Sequence, residues 1–378
     1  MEIRKISFYD KFTCLAGDCR QTCCHGWMIP LTPEDRERFR EQKGLFKLSL
    51  LSRMSSKDIY CFNKGSGTCP FLNGDGLCSL QLKKGHDFIP EACRMFPRFY
   101  RNYRAFEERF LDLSCIGAAS LFLEEYARMT LTVSEGEPAS DPCTTNDDEA
   151  LLNILLDSRE KCIEMLMEAH DLNTLSYTLT RIDEHSAAAQ AVSLKGGSIP
   201  GISAFTESGG SFINSSGSGR PDTTELLPLN ISFFDKIMDS SFYNIRLKFT
   251  NPALYRLCRL YFDDPEGMLS SNERFLQAVN GFFDKNKEAA NHLAAYYAYY
   301  LYLYYLKSYE DYSFVKNTRL GIVHLNMILM FAVLHAGSDA VLSTDDMAMI
   351  IASYNRRAYF NEEIVSELYD VIAEHLGT

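Results

Sequence analysis

The spacing of apolar positions changes several times along this 378-residue chain. Over residues 1–130 they come in short runs broken by Gly, Asn and Cys, and helical spacing shows only locally. "LTPEDRERFREQ" places Thr32 as an N-cap, Pro33 at the first helical position and acids in the first turn, which predicts a helix. "SCIGAASLFLEEYARM" (114–129) has apolar spacing near 3.6 and predicts another. Between them, "NGDG" (73–76) is a turn signal separating two short apolar stretches. The expectation is a loop- and turn-rich N-terminal unit.

"TVSEGEPASDPCTTNDDE" (132–149) is polar and reads as a linker. Helical spacing then resumes in "EALLNILLDSREKCIEMLMEAH", with Leu151, Leu152, Leu155, Leu156, Ile163, Leu166 and Met167 on one face. It lapses over "SLKGGSIPGISAFTESGGSFINSSGSGRPD" (193–222), which reads as a long flexible insertion. Those glycines carry no strand before them and no helix with Lys-Ser/Thr after them, so a phosphate loop is a poor fit. From Leu226 the pattern is helical again, closing on the amphipathic "NRRAYFNEEIVSELYDVIAEHL". The fold class expected is mainly α: a Cys-rich loop/turn metal-binding unit (1–130), a linker (131–148) and an all-α helical domain (149–378) with a flexible insertion at about 190–224.

No segment reads as reaching the ~20 apolar residues of a membrane-spanning helix. The nearest is "LAAYYAYYLYLYYL" (293–306), whose seven tyrosines carry hydroxyls that need partners in lipid. That tyrosine cluster reads as core, or as a pocket for a cation. The formal net charge of −12 argues against a general nucleic-acid binder. The charge is uneven: residues 1–128 hold 20 Lys+Arg and 16 Asp+Glu, the remainder 18 and 34. The basic residues concentrate in "CRMFPRFYRNYRAFEER", with Arg94, Arg98, Arg101, Arg104 and Arg109 as a solvated face or an anion site.

Of twelve cysteines, nine lie in the first 115 residues. "MEIRKISFYDKF" has no apolar core of signal-peptide length, so the expected setting is a reducing cytoplasm, where disulfides are rare. A dense cysteine field there points to metal first and thiol redox chemistry second, with buried cysteines that merely pack as the bland reading. "FTCLAGDCRQTCCHGW" (12–27) approaches paired-ligand spacing, whereas Cys61, Cys69, Cys78, Cys93 and Cys115 arrive singly, a pattern closer to iron–sulfur ligation than to a two-knuckle zinc site. In an extended strand Cys23 and Cys24 would point apart, so only one would reach a given metal. His25 is a metal ligand, a supporting donor or an exposed loop histidine. No catalytic constellation can be assembled from spacing alone.

The run "FTCLAGDCRQTCCHGW", followed by "CPFLNGDGLCSLQLKKGHDFIPEACRMFPR" and "LDLSC", resembles the flagellin lysine-N-methylase family and, more distantly, small zinc- or iron-chelating domains. The likeness is strong over residues 12–119 and continues weakly through "NHLAAYYAYYLYLYYLK" and "SYNRRAY". The resemblance implies methylation of lysine ε-amines on flagellin or a similar protein, with S-adenosylmethionine as methyl donor. It also implies a [4Fe–4S] cluster, or alternatively zinc, on Cys14, Cys19, Cys23, Cys24, Cys69, Cys78, Cys93 and Cys115, with Cys61 additional. The chain departs from that family at Cys115-Ile116-Gly117, where members tend to read Cys-Pro-Glu, and at "RRAYFN", where they show an Arg followed by a Glu-His pair. It has neither the Gly-rich strand-to-helix turn of common methyltransferases nor a radical-type C-x3-C-x2-C. The competing reading is a non-catalytic zinc- or iron-binding module fused to a helical protein-interaction domain.

Overall fold

The computed structural model describes residues 1–25, 28–55, 61–62, 67–196, 272–337 and 341–358. The chain folds as two units: Met1–Arg101 with Ala105–Phe122 and Met129–Ser140, and Asn102–Arg104 with Leu123–Arg128 and Asp141–Thr378. The expected 193–222 insertion lies outside the described residues from 197 on, and so does the expected C-terminal amphipathic segment beyond 358.

The cysteine unit begins with β1 (Glu2–Ile6), which buries Ile3 and Ile6. Three two-residue strands, β2 (Ile29–Pro30), β3 (Met54–Ser55) and β4 (Cys61–Phe62), form a small sheet in the order β2-β4-β3. Strands β5 (Arg98–Asn102), β6 (Phe106–Leu111) and β7 (Leu131–Glu135) join β1 in a second sheet, ordered β5-β6-β1-β7. β1 runs parallel to β6 (Glu2 opposite Phe106) and antiparallel to β7 (Glu2 opposite Glu135). Helices α1 (Pro33–Arg40), α2 (Gly44–Ser52), α3 (Ser79–Lys84), α4 (Glu91–Met95) and α5 (Ile116–Glu125) complete this part of the chain. The expected helix after Thr32 forms, closed by a capping box in which Thr32 and Asp35 exchange side-chain and backbone hydrogen bonds.

The larger sheet corrects the sequence reading in one place. Residues 131–135, expected as the start of a linker, are the edge strand β7; its side chains are mostly exposed, so no alternation betrays it, and backbone pairing to β1 defines it. The arginines of the basic run pack on rings and pair with a carboxylate. Arg98 lies over the rings of Tyr9 and Phe12 at 5.6 Å, Arg101 over Phe99, and Arg109 over Tyr100 while bonding Glu107 at 2.8 Å. Glu107 is itself buried, and its second oxygen accepts from the Ala139 and Ser140 amides and the Ser140 hydroxyl. A buried carboxylate so fully bonded avoids the cost of an orphaned charge.

The second unit is helical where it is described: α6 (Glu149–Met167), α7 (Leu172–Ser193), α8 (Asn272–Lys285), α9 (Ala289–Tyr304), α10 (Phe314–Ala336) and α11 (Thr344–Ala358). α6 buries Leu151, Leu152, Leu155, Ile163 and Leu166, the face its periodicity predicted. α9 packs between α6 and α10, and α10 also meets α7 and α11. One expectation about apolar length is corrected: α10 is long and apolar enough to cross a membrane by length and composition, and its side chains are mostly buried inside the helical unit. The tyrosines of α9 are core. Tyr296 donates to Asn355 Oδ1 (2.7 Å), Tyr297 to the Thr318 carbonyl (3.1 Å) and Tyr300 to the Asn317 carbonyl (2.9 Å). The last two acceptors lie in the first turns of α10, on the α10 helix that faces those rings. Gly321 lets this helix approach: a Cβ there would stand 2.4 Å from the Tyr300 ring and 2.6 Å from the Tyr297 ring.

Candidate metal centre

The turn Asn73–Gly76 folds the chain between Cys69 and Cys78. The Asn73 Oδ1 accepts from the Asp75 and Leu77 amides, and Gly76 adopts φ +74°. Leu72 bridges Cys78, and both the amide and hydroxyl of Ser79 bond the Phe71 carbonyl. The Cys69 amide donates to the Cys24 carbonyl at 2.7 Å. Next along, His25 bridges Thr68, and His25 Nδ1 lies 2.8 Å from the Thr68 hydroxyl. These bonds join the first cysteine cluster to the second across more than forty residues of chain.

A hydrophobic cluster of Ile29, Leu31, Phe39, Leu50, Phe62, Phe71, Leu80, Phe88 and Ile89 takes in Cys69, with Cys24, Cys78 and Cys93 packed against it. Cys93 rides on the short α4. Asp35, fully buried, fixes that helix from outside by accepting the Glu91 amide at 3.1 Å, while Arg38 binds Asp35 and the Ile89 carbonyl. Cys115 opens α5: its amide bonds Asp112, and its sulfur accepts from the Gly117 and Ala118 amides.

The thiols respond to one another in two groups. Cys24 sits well below the ordinary thiol range because Cys23 and then Cys69 donate hydrogen bonds to its sulfur. Cys23 and Cys69 are pushed up in turn, each by that bond and by burial. Burial pushes Cys93 up, and it feels the charges of Cys24, Cys78 and Asp35. Burial pushes Cys115 to about 11, and it feels Cys19 and Cys14 instead. Cys23 feels both Cys93 and Cys115. One pole therefore holds Cys24, Cys69, Cys78 and Cys93, the other Cys14, Cys19 and Cys115, and Cys23 stands where they meet.

This answers the question of the adjacent pair differently from its extended-chain reading. Cys23 and Cys24 lie in a turn, so their side chains are not set on opposite faces and their thiols bond each other. Seven of the eight cysteines expected in the site fall within these two poles, and Cys23 stands between them. Cys61 takes its backbone place on β4, while its side chain, like Gly26 and Trp27, lies outside the described residues. Cys143 and Cys162 belong to the helical unit, where the Cys143 thiol meets Glu310 Oε1 at 3.4 Å and Cys162 is fully buried. His25 is exposed and bonded to Thr68. Sequence reasoning missed Asp35 and Asn73; the Thr-Pro-Glu-Asp cap and the Asn-Gly-Asp-Gly turn were the signals that contained them.

The donor set suits a soft metal: the expected ligands are all sulfur, and Cys24 is favoured as thiolate. Among the described residues, no three His, Cys, Asp or Glu groups are arranged to close on a single ion; the thiols meet side by side. The residues fit zinc or iron by chemistry, and closing them on it calls for thiol rotation and loss of protons.

Comparison with known proteins agrees with this chemistry. Residues 13–115 match the CxxCxxCC family, described as "Putative zinc- or iron-chelating domain". The chain is 25% identical over 142 residues to the lysine-N-methylase of Salmonella typhimurium (strain LT2), covering 34% of each protein, and to that of Salmonella choleraesuis over the same shares. It is 25% identical over 141 residues to the flagellar biosynthetic protein FliU of Salmonella muenchen, covering 34% of this chain and 81% of that one. The match thus spans about a third of the lysine-N-methylases. No solved structure matches.

Proposed function

We propose that this chain is a cytoplasmic protein lysine N-methyltransferase that uses S-adenosylmethionine and acts on flagellin or a similar protein, with a [4Fe–4S] cluster on its cysteine unit. The observation that carries the reading is the gathering of Cys14, Cys19, Cys23, Cys24, Cys69, Cys78, Cys93 and Cys115 within a segment similar to lysine-N-methylases. Cys24, Cys69, Cys78 and Cys93 would hold the group, with Cys23 beside them. A cluster held by four thiolates would supply an electron-transfer centre whose potential the surrounding burial and hydrogen bonds tune. The protein's own part is to hold thiolates against an apolar floor and to anchor α4 through Asp35. Methyl transfer to an amine further requires a deprotonated nitrogen in line with the sulfonium methyl group.

Zinc is the second reading, favoured by the separation of the thiols into two poles of three and four, which suits structural ions as well as a cluster. With zinc and no catalysis, the chain would be a metal-binding module joined to a helical interaction domain.

Anaerobic purification followed by iron, zinc and acid-labile sulfide analysis decides the group. Transfer of a labelled methyl from S-adenosylmethionine to lysine in cognate flagellin decides the activity. Iron, sulfide and label in lysine support the proposal; stoichiometric zinc without sulfide and no transferred label refute it.

A further inference from the structure

The helical unit contains a cavity of about 320 Å³ at the corner between α8 and α9, lined also by Tyr126 and the start of α11. Its polar side is organised around Glu288. The Tyr126 hydroxyl donates to Glu288 Oε2 at 3.0 Å and Asn291 Nδ2 to the same oxygen at 2.9 Å. Asn291 Oδ1 lies 3.0 Å from His170 Nδ1, so the carboxylate is held by a chain of three side chains. Among the described residues, Glu288 Oε1 takes no partner.

His292, one turn along α9, also lines the cavity. Its ring meets Tyr126 at 88° with centroids 5.1 Å apart, and neither ring nitrogen bonds a protein group among the described residues. Both nitrogens remain accessible. Burial holds His292 below the usual imidazole range, which leaves a lone pair in the cavity near pH 7. The bonds from Asn291 and Tyr126 hold Glu288 below the usual carboxylate range, so it is anionic. Phe282 and Met347 supply an apolar wall, and both are buried. Lys285 and Lys287 also line it; Lys287 Nζ lies 3.8 Å from Asp284, both of them exposed.

We propose that this cavity binds a primary alkylammonium group, with Glu288 Oε1 and His292 accepting its N–H bonds and Phe282 and Met347 flanking its methylene stem. The carboxylate oxygen and the unprotonated nitrogen of a neutral imidazole are two acceptors, which an ammonium with three donors can satisfy together. The apolar wall matches an alkyl chain that keeps its charged end at polar groups. That the natural occupant is a protein lysine rests on the methylase reading; the ammonium chemistry does not.

The test titrates full-length protein carrying ¹³Cε1-labelled histidine with n-butylammonium chloride, and with sodium butyrate as the control of opposite charge. The His292 resonance is identified by its loss in His292→Gln or, should that variant not fold, by the loss of its ring-current shift in Tyr126→Leu. Expected is a saturable His292 shift with butylammonium, none with butyrate, and about tenfold weaker binding in Glu288→Gln. Glu288 is exposed, so this variant keeps the fold. An absent shift, an equal shift with butyrate, or unchanged affinity in Glu288→Gln overturns the proposal; the butyrate result would assign the cavity to an anion held by Lys285 and Lys287. Amine binding without methyl transfer would remove the methylase reading and leave this site. Methyl transfer without amine binding would do the reverse.

Discussion

The carboxylate of Asp35 on α1 accepts the backbone amide of Glu91, the first residue of α4, at 3.1 Å. Asp35 thereby closes its own helix through Thr32 and also orients the helix that carries Cys93. A single buried side chain couples a helix cap to a thiol two positions beyond its acceptor contact.

Replacing Asp35 with Ala should therefore destabilise the cysteine unit by about 2–4 kcal/mol, since it strands the partly buried Arg38 and the Glu91 amide together. Urea unfolding would show this, and metal content measured on the folded fraction should drop as well. A variant as stable as wild type would show that α4 is held by its apolar contacts alone.

The two thiol poles make different substitutions informative. Cys93→Ala should lower metal bound per chain and Cys14→Ala should leave it unchanged, as read by plasma mass spectrometry on anaerobically prepared protein. Full metal content in both variants would refute the ligand set. Loss in Cys93→Ala alone would place the metal at the pole of Cys24, Cys69, Cys78 and Cys93.

In the helical unit, Gly321→Ala drives a methyl group into the Tyr297 and Tyr300 rings, which are buried and tied by their hydroxyls to α10. The rings cannot swing clear without breaking those bonds. Overpacking of this kind typically removes about 1–3 kcal/mol. Thermal unfolding monitored at the helical signal should show a lower midpoint, and an unchanged midpoint would mean that α9 and α10 separate easily.

His324 is fully buried on α10, 2.6 Å by its Nδ1 from the Tyr354 hydroxyl, and burial lowers its pKa to about 3. The unfolded chain binds this proton near pH 6.5, the folded chain only near 3. The unfolded state is thus favoured as pH falls through that window, and stability drops by about 1.4 kcal/mol per pH unit from this group. Above pH 6.5 the group contributes no pH dependence. Urea unfolding at pH 7, 6 and 5 should show the slope, and His324→Leu should flatten it. An equal slope in that variant would assign the effect to other groups.

Much of the fold was legible because it is locally encoded. The Thr32 cap, the Asn73 turn and the apolar face of α6 each depend on residues within a few positions, and each formed as its pattern required. Strand β7 and the buried Glu107 were not legible. β7 is polar and exposed, and Glu107 sits among arginines that read as a solvated face or an anion site; β7 is defined by a partner strand up to 133 residues distant, and Glu107 by amides 32 and 33 residues away. The Tyr126–Glu288 bond crosses a separation of 162 residues and leaves no periodic trace.

By itself the sequence determined how many thiols crowd the first 115 residues, in what order, and with which turns and helices between them. Only the tertiary structure decided which thiols meet: Cys24 with Cys23 and Cys69, Cys93 toward Cys24 and Cys78, and Cys115 toward Cys14 and Cys19. The physical reason is that caps and turns are satisfied within a few residues of chain. Bringing together thiols as much as a hundred residues apart takes loop closure, which is repaid by a shared apolar core and long-range backbone bonds that spacing does not record.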